Sequence, residues 1–280
     1  MSDPSQSALS SQIDSHQLSL LMKDSNELDR ARLLCVSQPH ATAFLSAIPI
    51  SNMGLALSNE EWSVSVGLVI GAQLFDSPFP CNAGGYKGRC SMMMDVHGHH
   101  ALRCKFSGDA KPRHNKIRDL LFKKLQDAYA NPLLEPAHLL RDEGGKPGDV
   151  AIPDFSRAKT CAVDVFVTDP LQPKYVSKSA EIGSYACNNY SKSVKYPKYS
   201  KLIAQGDDLM FSTYGMESLG AYDDDATGIM KWLANRLAQV QLLDYSTIIY
   251  RLYQLFSVTL QRSNSRMIIS RFPKSRSSIL

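Results

Sequence analysis

Residues 149–168, DVAIPDFSRAKTCAVDVFVT, contain two short apolar runs separated by turn-forming residues. Val and Phe are frequent in these runs, as they are in β-strands. The short connection, Pro153 to Arg157, favours an antiparallel hairpin. Asp149 begins the first predicted strand, and Asp164 interrupts the apolar run of the second. The hairpin therefore predicts both the centre of a sheet and the position of two carboxylates.

Asp149 and Asp164 are candidate metal ligands. A carboxylate inside an apolar strand is costly unless it meets a cation or another partner, which makes Asp164 the most informative single residue. Adjacent strands of a hairpin place opposite residues side by side. Asp oxygens are the ligands that hold Mg²⁺, the cation that assists phosphodiester hydrolysis. The alternative for Asp164 is a salt bridge to a lysine or arginine.

Three further residues are candidates for the same site. Glu135, just before Pro136, offers a third carboxylate from the end of the preceding helix. Lys192 and Lys195 lie on a polar stretch, 174–204, that is predicted to be helical. Either lysine could stabilise developing negative charge or orient an attacking water. The alternative for each lysine is a solvated helix face.

Regular elements are predicted on both sides of the hairpin. Helical spacing of apolar residues indicates an amphipathic helix over 115–129, with Arg118, Lys123 and Lys124 off its apolar face. The apolar run 209–214 is typical of a further strand, and 226–243 and 247–260 are predicted helices. The order strand, strand, helix, strand predicts an α/β fold with a mixed sheet flanked by helices.

The N-terminal third is predicted to be simpler. Residues 1–25 open with Ser, Gln and Asp and show no period, which indicates disorder. Residues 26–79 are predicted to form a helical module, in which Ser58 and Glu61 make a capping box that opens its third helix. A Gly-rich loop with little regular structure is expected over 80–111.

Cysteines and histidines cluster in that loop. Cys81, Cys90, His100 and Cys104 supply the three thiolates and one imidazole that a tetrahedral Zn²⁺ takes. A loop with few apolar residues needs such a metal to fold. The eight residues between the first two cysteines exceed the usual zinc spacing, so scattered free cysteines remain the alternative. His99 or His114 could also replace a ligand.

Composition and charge bound the class of protein. The 280 residues are 44% hydrophobic, with no run of 18 apolar residues and no secretory pattern at the N-terminus. These features predict an intracellular protein without a membrane span. The net charge is +4, yet 81–125 carry ten Lys or Arg against three Asp, and the last thirty residues are basic without an acid. Two basic faces suit a polyanionic partner, the alternative being a solvated surface and a disordered basic tail.

Nine segments, spread over about residues 28 to 240, resemble the end of the polyproteins of non-LTR retrotransposons. In order they are RARLL (30–34), HATAFLSAIPI (40–50), GLALS (54–58), VGLVIGAQLF (66–75), DVHGHHALRCKFSGDAKPRHN (95–115), LLEP (133–136), KPGDVAIPDF (146–155), AVDVFVTDPLQ (162–172) and MESLGAY (216–222). The polyproteins carry a restriction-like endonuclease of the PD-(D/E)XK type, preceded by a Cys/His zinc knuckle and an Arg-His pair. Each motif is weak, but their order is specific.

The resemblance implies a restriction-endonuclease-like α/β fold with these parts: disordered 1–25, helical module 26–79, zinc knuckle 80–111, nuclease core 112–243, and C-terminal helix with basic tail 244–280. It implies structural Zn²⁺ on Cys81, Cys90, His100 and Cys104, and catalytic Mg²⁺ or Mn²⁺ on Asp149 and Asp164 assisted by Glu135. The Arg-His pair falls on Arg113 and His114, which we expect to face DNA together with Arg118, Lys123 and Lys124.

Two departures from the pattern are visible. Asp149 follows Lys-Pro-Gly rather than Pro directly, and the position two beyond Asp164 is Phe166 rather than Lys. The nucleases of the retroelements resemble this arrangement, because their lysine comes from the following helix. Lys192 or Lys195 must then fill that role.

The function implied is a Mg²⁺-dependent endodeoxyribonuclease that nicks target DNA in the nucleus, with DNA and possibly element RNA as partners. In related elements the nick primes reverse transcription. One alternative is a catalytically inactive, zinc-dependent nucleic-acid-binding module, which would bind DNA without cutting it. Another is a protein-interaction fragment of a decayed element, which would do neither. Metal-dependent cleavage and salt-dependent binding separate the three.

Overall fold

The computed structural model describes residues 6–85, 88–136, 147–200, 204 and 208–273. In chain order the helices are α1 (Gln6–Asp24), α2 (Glu27–Val36), α3 (Asn59–Ile70), α4 (His99–Arg103), α5 (Ala110–Asp127), α6 (Val176–Ser179), α7 (Tyr185–Tyr190), α8 (Tyr196–Lys198), α9 (Asp224–Gln241) and α10 (Tyr245–Ile269). The strands are β1 (Phe79–Pro80), β2 (Gly84–Gly85), β3 (Gly88–Arg89), β4 (Met93–Met94), β5 (Leu133–Leu134), β6 (Val150–Ser156), β7 (Lys159–Thr168) and β8 (Leu209–Glu217). The fold is mixed α/β.

Within the described residues, the largest sheet has the order β5-β6-β7-β8. β5, β6 and β7 pair antiparallel, and β8 joins β7 in parallel after a helical connection. The predicted hairpin and the order strand, strand, helix, strand are therefore confirmed. Parallel pairing requires a crossover, and the chain from α6 to α8 supplies it.

The main core lies between this sheet and the helices α5, α9 and α10. The middle of β7 is buried throughout, from Cys161 to Phe166. On the sheet side Val163 and Tyr214 belong to the core, and on the helix side Ile117, Leu121 and Phe256 do so. Because apolar helices cover the sheet, β7 reads as a nearly continuous apolar run rather than an alternating one.

The loop between α3 and α5 holds more structure than the sequence predicted. β1 pairs with β4 and β2 with β3, and one helical turn, α4, follows. Its residues Met94, Ala101 and Leu102 share a second buried cluster with Leu68 of α3 and Ile268 of α10. The loop thus lies on a core that it shares with neighbouring helices.

The N-terminal prediction of disorder is wrong for the described part, because residues 6–24 form helix α1. Nearly all of its side chains are exposed, and its sequence has no apolar stripe that would have indicated a helix. Ser15 and Ser19 donate hydrogen bonds to carbonyls of the preceding turn. Residues 1–5 lie outside the described residues.

The capping box predicted for the helical module is present. Ser58 Oγ accepts from the Glu61 amide at 3.2 Å, and Glu61 Oε2 accepts from the Ser58 amide at 3.0 Å. The C-terminal helix is longer than predicted and ends at Ile269, while tail residues 274–280 lie outside the described residues. No helix in the described ranges has the length and apolarity that crossing a bilayer requires.

Candidate functional site

The three predicted carboxylates lie in one row across the sheet. The β6–β7 register pairs Val150 with Val163, so Asp149 directly precedes and Asp164 directly follows this pair, and both side chains line the same cleft. The β5–β6 register pairs Leu134 with Val150, and the Glu135 amide donates to the Asp149 carbonyl at 2.8 Å. Residues opposite one another share a face of the sheet. Glu135 therefore comes from the end of β5, and not from the end of a helix as predicted.

Gly148 fixes the entry of the chain into this row. Its φ is +142°, a value that L side chains rarely adopt, and a Cβ there would lie 2.9 Å from the Val163 carbonyl oxygen. The close approach lets the Asp149 amide donate to the same oxygen at 2.8 Å. Position 148, where the retroelement pattern has a proline directly before the aspartate, therefore needs a glycine in this chain for steric reasons.

Both oxygens of Asp149 have donors. Oδ1 lies 3.2 Å from His114 Nε2, and Oδ2 accepts from the Val165 amide at 2.7 Å. Burial raises the pKa of this carboxyl, but the hydrogen bond and charge of His114, the Val165 amide and Lys195 outweigh it and lower the pKa. Asp149 is held as a carboxylate at neutral pH.

Asp164 is buried and held from two sides. Lys195 Nζ donates to Oδ1 and the Tyr199 hydroxyl donates to Oδ2, each at 2.6 Å. Burial, followed by the hydrogen bond to Asp164, raises the pKa of Tyr199, which keeps the phenol protonated as a donor. Lys195 and Tyr199 are four residues apart on one helical stretch, so both reach the same carboxylate.

A π-helical turn, Ser191–Lys195, places Lys195 over the sheet. Ser191 Oγ lies 2.8 Å from Thr213 Oγ1, and the Tyr196 hydroxyl donates to Asp225 Oδ2 at 2.7 Å. Thr213 is the β8 residue in register with Asp164. π-turns are frequent at functional sites. The helix that carries the lysine is therefore fixed to the same row of the sheet.

Lys192 does not enter this site. Its ammonium is exposed and lies 3.8 Å from Asp224 Oδ2. Glu135 lines the site, yet its Oε1 accepts from Arg118 Nη1 at 2.7 Å. Within the described chain, three or more metal-ligating side chains converge only at the Cys/His cluster. Of the two candidate lysines, the structure therefore places only Lys195 in the site. Of the three candidate carboxylates, Asp149 and Asp164 are the two that are not held by an arginine.

These side chains line an open cleft with a mixed charge. Its lining consists of Lys111, His114, Asn115, Arg118, Glu135, Gly148, Asp149, Asp164, Lys195, Lys198 and Tyr199. The sequence analysis missed Tyr199, Lys198 and Lys111. Tyr199 could have been found from its spacing of four after Lys195, whereas nothing local marks the two lysines.

Three of the five residues predicted to face DNA do not line the cleft. Arg113 is only 5% exposed, because it continues the stripe of Ile117, Leu121 and Leu125 that α5 turns to the core. Burial lowers its pKa to about 10. Lys123 and Lys124 lie at the far end of α5 and pair with Asp127. His114 and Arg118 do line the cleft.

Three of the C-terminal arginines within the described residues lie beside acidic side chains. Arg262 and Arg266 lie on α10 beside Glu61, at 3.9 and 2.6 Å. Arg271 Nη2 contacts Asp109 Oδ2 at 2.6 Å. These arginines lack acids nearby in sequence, but the fold brings acids to them. They tie α10 to α3 and to the start of α5.

The predicted zinc ligands converge on one point. One ligand atom from each of Cys81, Cys90, His100 and Cys104 lies within 4.8 Å of the others. Cys81 Sγ and Cys104 Sγ are 4.0 Å apart, and Cys90 Sγ lies 3.4 Å from His100 Nε2. Tetrahedral Zn²⁺ requires about 3.8 Å between two sulfurs and about 3.6 Å between sulfur and nitrogen. The cluster has the chemistry and spacing to bind zinc.

Local hydrogen bonds hold the ligands in place. Ala83 O accepts from the Cys90 amide at 2.9 Å, which closes the hairpin that carries two of the cysteines. Asp95 Oδ2 accepts from the His100 amide at 2.8 Å and fixes the start of α4. Burial raises the pKa of Cys81 to about 11, and nearby Cys104 and Cys90 add to the increase. A bound cation would relieve this crowding of thiols.

No protein-family model matches this chain, and no curated protein matches it. The assignment of a function therefore rests on the side chains described above.

Proposed function

We propose that this chain is a metal-dependent DNA endonuclease that uses the cleft between α5, the hairpin and the π-helical turn. The observation that carries the proposal is the cross-strand pair Asp149 and Asp164 with Lys195 Nζ 2.6 Å from Asp164 Oδ1. The resemblance to restriction-like nucleases implies the same parts, namely two facing carboxylates on a mixed sheet and a lysine from the following helix.

The cleft fits Mg²⁺ or Mn²⁺ better than a metal that prefers sulfur ligands. The facing side chains of Asp149 and Asp164 offer hard oxygen donors, while the thiolates lie in the separate Cys/His cluster. Mg²⁺ in such sites usually takes one or two carboxylates and keeps several waters. Glu135, held by Arg118, lines the same cleft but is not required as a ligand.

Each residue of the cleft has a distinct task. A bound divalent cation supplies the charge that polarises the phosphate and lowers the pKa of water. Tyr199 orients the Asp164 carboxylate, and His114 orients that of Asp149. The ammonium of Lys195 contacts Asp164 and lines the same cleft as Asp149, where it can donate to a phosphate oxygen or to the attacking water. Lys111 and Lys198 supply positive charge at the rim of the cleft.

We further propose that the core is restriction-endonuclease-like and that the Cys/His cluster is a structural zinc knuckle. The helix α5, the three antiparallel strands, the helical crossover and the parallel strand β8 support the first part. The four converging ligands support the second. A retrotransposon origin, DNA and possibly element RNA as partners, and a nuclear location accompany this proposal.

A supercoiled plasmid tests the function directly. Nicked circles should accumulate with Mg²⁺ and the wild-type chain, but not with chelator or with Asp164→Asn. Linkage of activity to both metal and Asp164 excludes a contaminating nuclease. Intact plasmid under all conditions would remove the endonuclease proposal.

The two candidate lysines should behave differently. Lys195→Met should lower the nicking rate by about 10²–10³-fold, as expected when a preorganised charge is lost. Lys192→Met is the matched control, because Lys192 contacts Asp224 outside the cleft, and its rate should be unchanged. Single-turnover nicking measures both. Equal losses in the two variants would mean that the cleft is misassigned.

DNA binding should depend on the rim of the cleft. Lys111→Gln with Lys198→Gln should weaken binding similarly for all sequences and reduce the salt slope by about 2, since each phosphate contact contributes about 0.9. The control is Lys123→Gln with Lys124→Gln, at the far end of α5. Fluorescence anisotropy over a salt series gives the slopes. A reduced slope only in the control pair would place DNA on another face.

One observation favours a second candidate function, a nucleic-acid-binding module without catalysis. All four oxygens of Asp149 and Asp164 already have donors: His114, the Val165 amide, Lys195 and Tyr199. Each carboxylate oxygen can accept a further contact, so a cation would share these oxygens with donors that already stabilise their charge. If calorimetry shows no Mg²⁺ binding while salt-sensitive DNA binding persists, this second function replaces the first.

A further inference from the structure

A ring of buried polar contacts joins the Cys/His cluster to the cleft. It begins at Leu102, which lies on α4 between the ligands His100 and Cys104. Arg113 Nη2 donates to the Leu102 carbonyl at 3.2 Å, and Arg113 Nη1 donates to Asn264 Oδ1 at 2.9 Å. One guanidinium therefore connects the cluster, the first turns of α5 and the C-terminal helix.

The ring closes through the loop after β8 and the end of β7. Asn264 Nδ2 donates to the Ser218 carbonyl at 2.7 Å, and Ser218 Oγ donates to Asp169 Oδ1 at 3.1 Å. Arg103, next to the ligand Cys104, donates from Nη1 to the Leu171 carbonyl at 3.2 Å. The same Nη1 lies 3.9 Å from Asp169 Oδ2. The ring thus returns to α4.

Both arms of the ring reach elements that carry residues of the cleft. Arg113 immediately precedes His114, which holds Asp149. Asp169 directly follows β7, the strand that carries Asp164. Arg113, Asn264 and Asp169 are all at most 5% exposed. Water cannot easily replace a lost partner at such depth, and a buried charge left unpaired is strongly destabilising. A shift of one ring member is therefore expected to move the others.

We propose that zinc occupancy of the Cys/His cluster controls the geometry of the cleft through this ring, with Arg113 and Asn264 as positioning residues. The coupling to cleavage rests on the nuclease function proposed above. α4 is a single turn that carries His100 and is capped by Cys104, so the bound zinc sets its position. When α4 shifts, the Leu102 carbonyl shifts, and the buried Arg113 follows it. That movement turns His114 away from Asp149.

The reverse coupling follows from linkage. If zinc favours the arrangement in which the cleft binds a divalent cation, the cation must favour zinc retention by the same factor. The zinc affinity of the cluster therefore reports on the ring without any cleavage assay. Because changes in affinity act mostly on dissociation, Mg²⁺ should slow zinc release from the wild-type chain.

The first experiment measures zinc release into a chromophoric chelator. Arg113→Lys keeps the charge but loses the two-pronged guanidinium, and release should become at least about tenfold faster, the scale of losing an outer-shell contact. Arg103→Gln removes the contacts of the more accessible arginine of the ring, and zinc release should again become faster. The matched control is Arg32→Lys, a buried arginine outside the ring that donates to the Val69 carbonyl at 2.6 Å.

Thermal unfolding is recorded first, and Arg103→Gln carries the test if Arg113→Lys does not fold. Release rates equal to that of Arg32→Lys would overturn the proposal. The second experiment repeats zinc release with added Mg²⁺ and no DNA. Slower release in the wild type that is lost in Arg103→Gln supports the coupling, and no effect of Mg²⁺ in the wild type overturns it. A chain that shows this coupling but never nicks DNA would contradict only the nuclease function.

Discussion

Replacement of Asp164 by asparagine is expected to lower the rate of plasmid nicking by at least about 10³-fold. The side chain keeps its size and can still accept from Tyr199, but it loses the charge that a divalent cation requires. Lewis-acid stabilisation by such an ion is worth several kcal/mol, and each 1.36 kcal/mol is about tenfold in rate. Single-turnover nicking with Mg²⁺ provides the measurement.

Asp154→Asn is the matched control, because Asp154 lies on the same hairpin at an exposed position. Asparagine also tolerates its φ of +50°, so the control should fold and cut as the wild type does. Calorimetry with Mg²⁺ separates a lost cation site from a misfolded chain. A cleaving Asp164→Asn variant would show that the cleft is not the active site.

The local part of this site could be predicted from the sequence. Short apolar runs around a turn define a hairpin, and the pairing of opposite residues then places Asp149 beside Asp164. The Cys/His cluster could be predicted for a similar reason, because ligand chemistry restricts which residues can meet. In both cases the deciding residues lie close together in the chain.

Residues that depend on distant packing could not be predicted. The resemblance places the Arg-His pair on Arg113 and His114 and so predicts that Arg113 faces DNA, yet its spacing from Ile117 puts it on the buried stripe of α5. Its partner Asn264 lies 151 residues away. The choice of Lys195 over Lys192 depends on a π-helical turn, which periodicity alone does not reveal. Long-range pairing decides these positions, and a single sequence does not record it.

The restricted conformation at Gly148 could be predicted only in part from the sequence. The sequence shows Lys-Pro-Gly before Asp149, which appeared as a departure from the family pattern. The structure shows that any Cβ at Gly148 would meet the Val163 carbonyl. A glycine next to a candidate ligand could have been interpreted as a close approach of two strands.

Loss of zinc is expected to have the largest effect on stability. Protein purified without added metal should contain one Zn²⁺ per chain, and Cys104→Ala should contain none. Structural zinc sites in small peptides bind with about 10–16 kcal/mol at pH 7, and much of that is folding free energy. Elemental analysis gives the stoichiometry. Zinc retained by Cys104→Ala would show that another residue, such as His99, completes the site.

Cys161→Ala is the control for removing a buried thiol, since Cys161 lies in the sheet core and not in the cluster. It should keep its zinc and lose only the packing of one small side chain.

Zinc loss is expected to unfold only part of the chain. The loop shares its core with Leu68 and Ile268, so zinc loss should release the loop without unfolding the whole chain. Hydrogen exchange should then show lost protection over 79–85, 88–104 and the first turn of α5, while β7 and β8 stay protected. The first turn of α5 is included because Arg113 loses its fixed partner at Leu102. Full protection of the loop after zinc removal would mean that the shared core alone holds it, and that the metal is not structural.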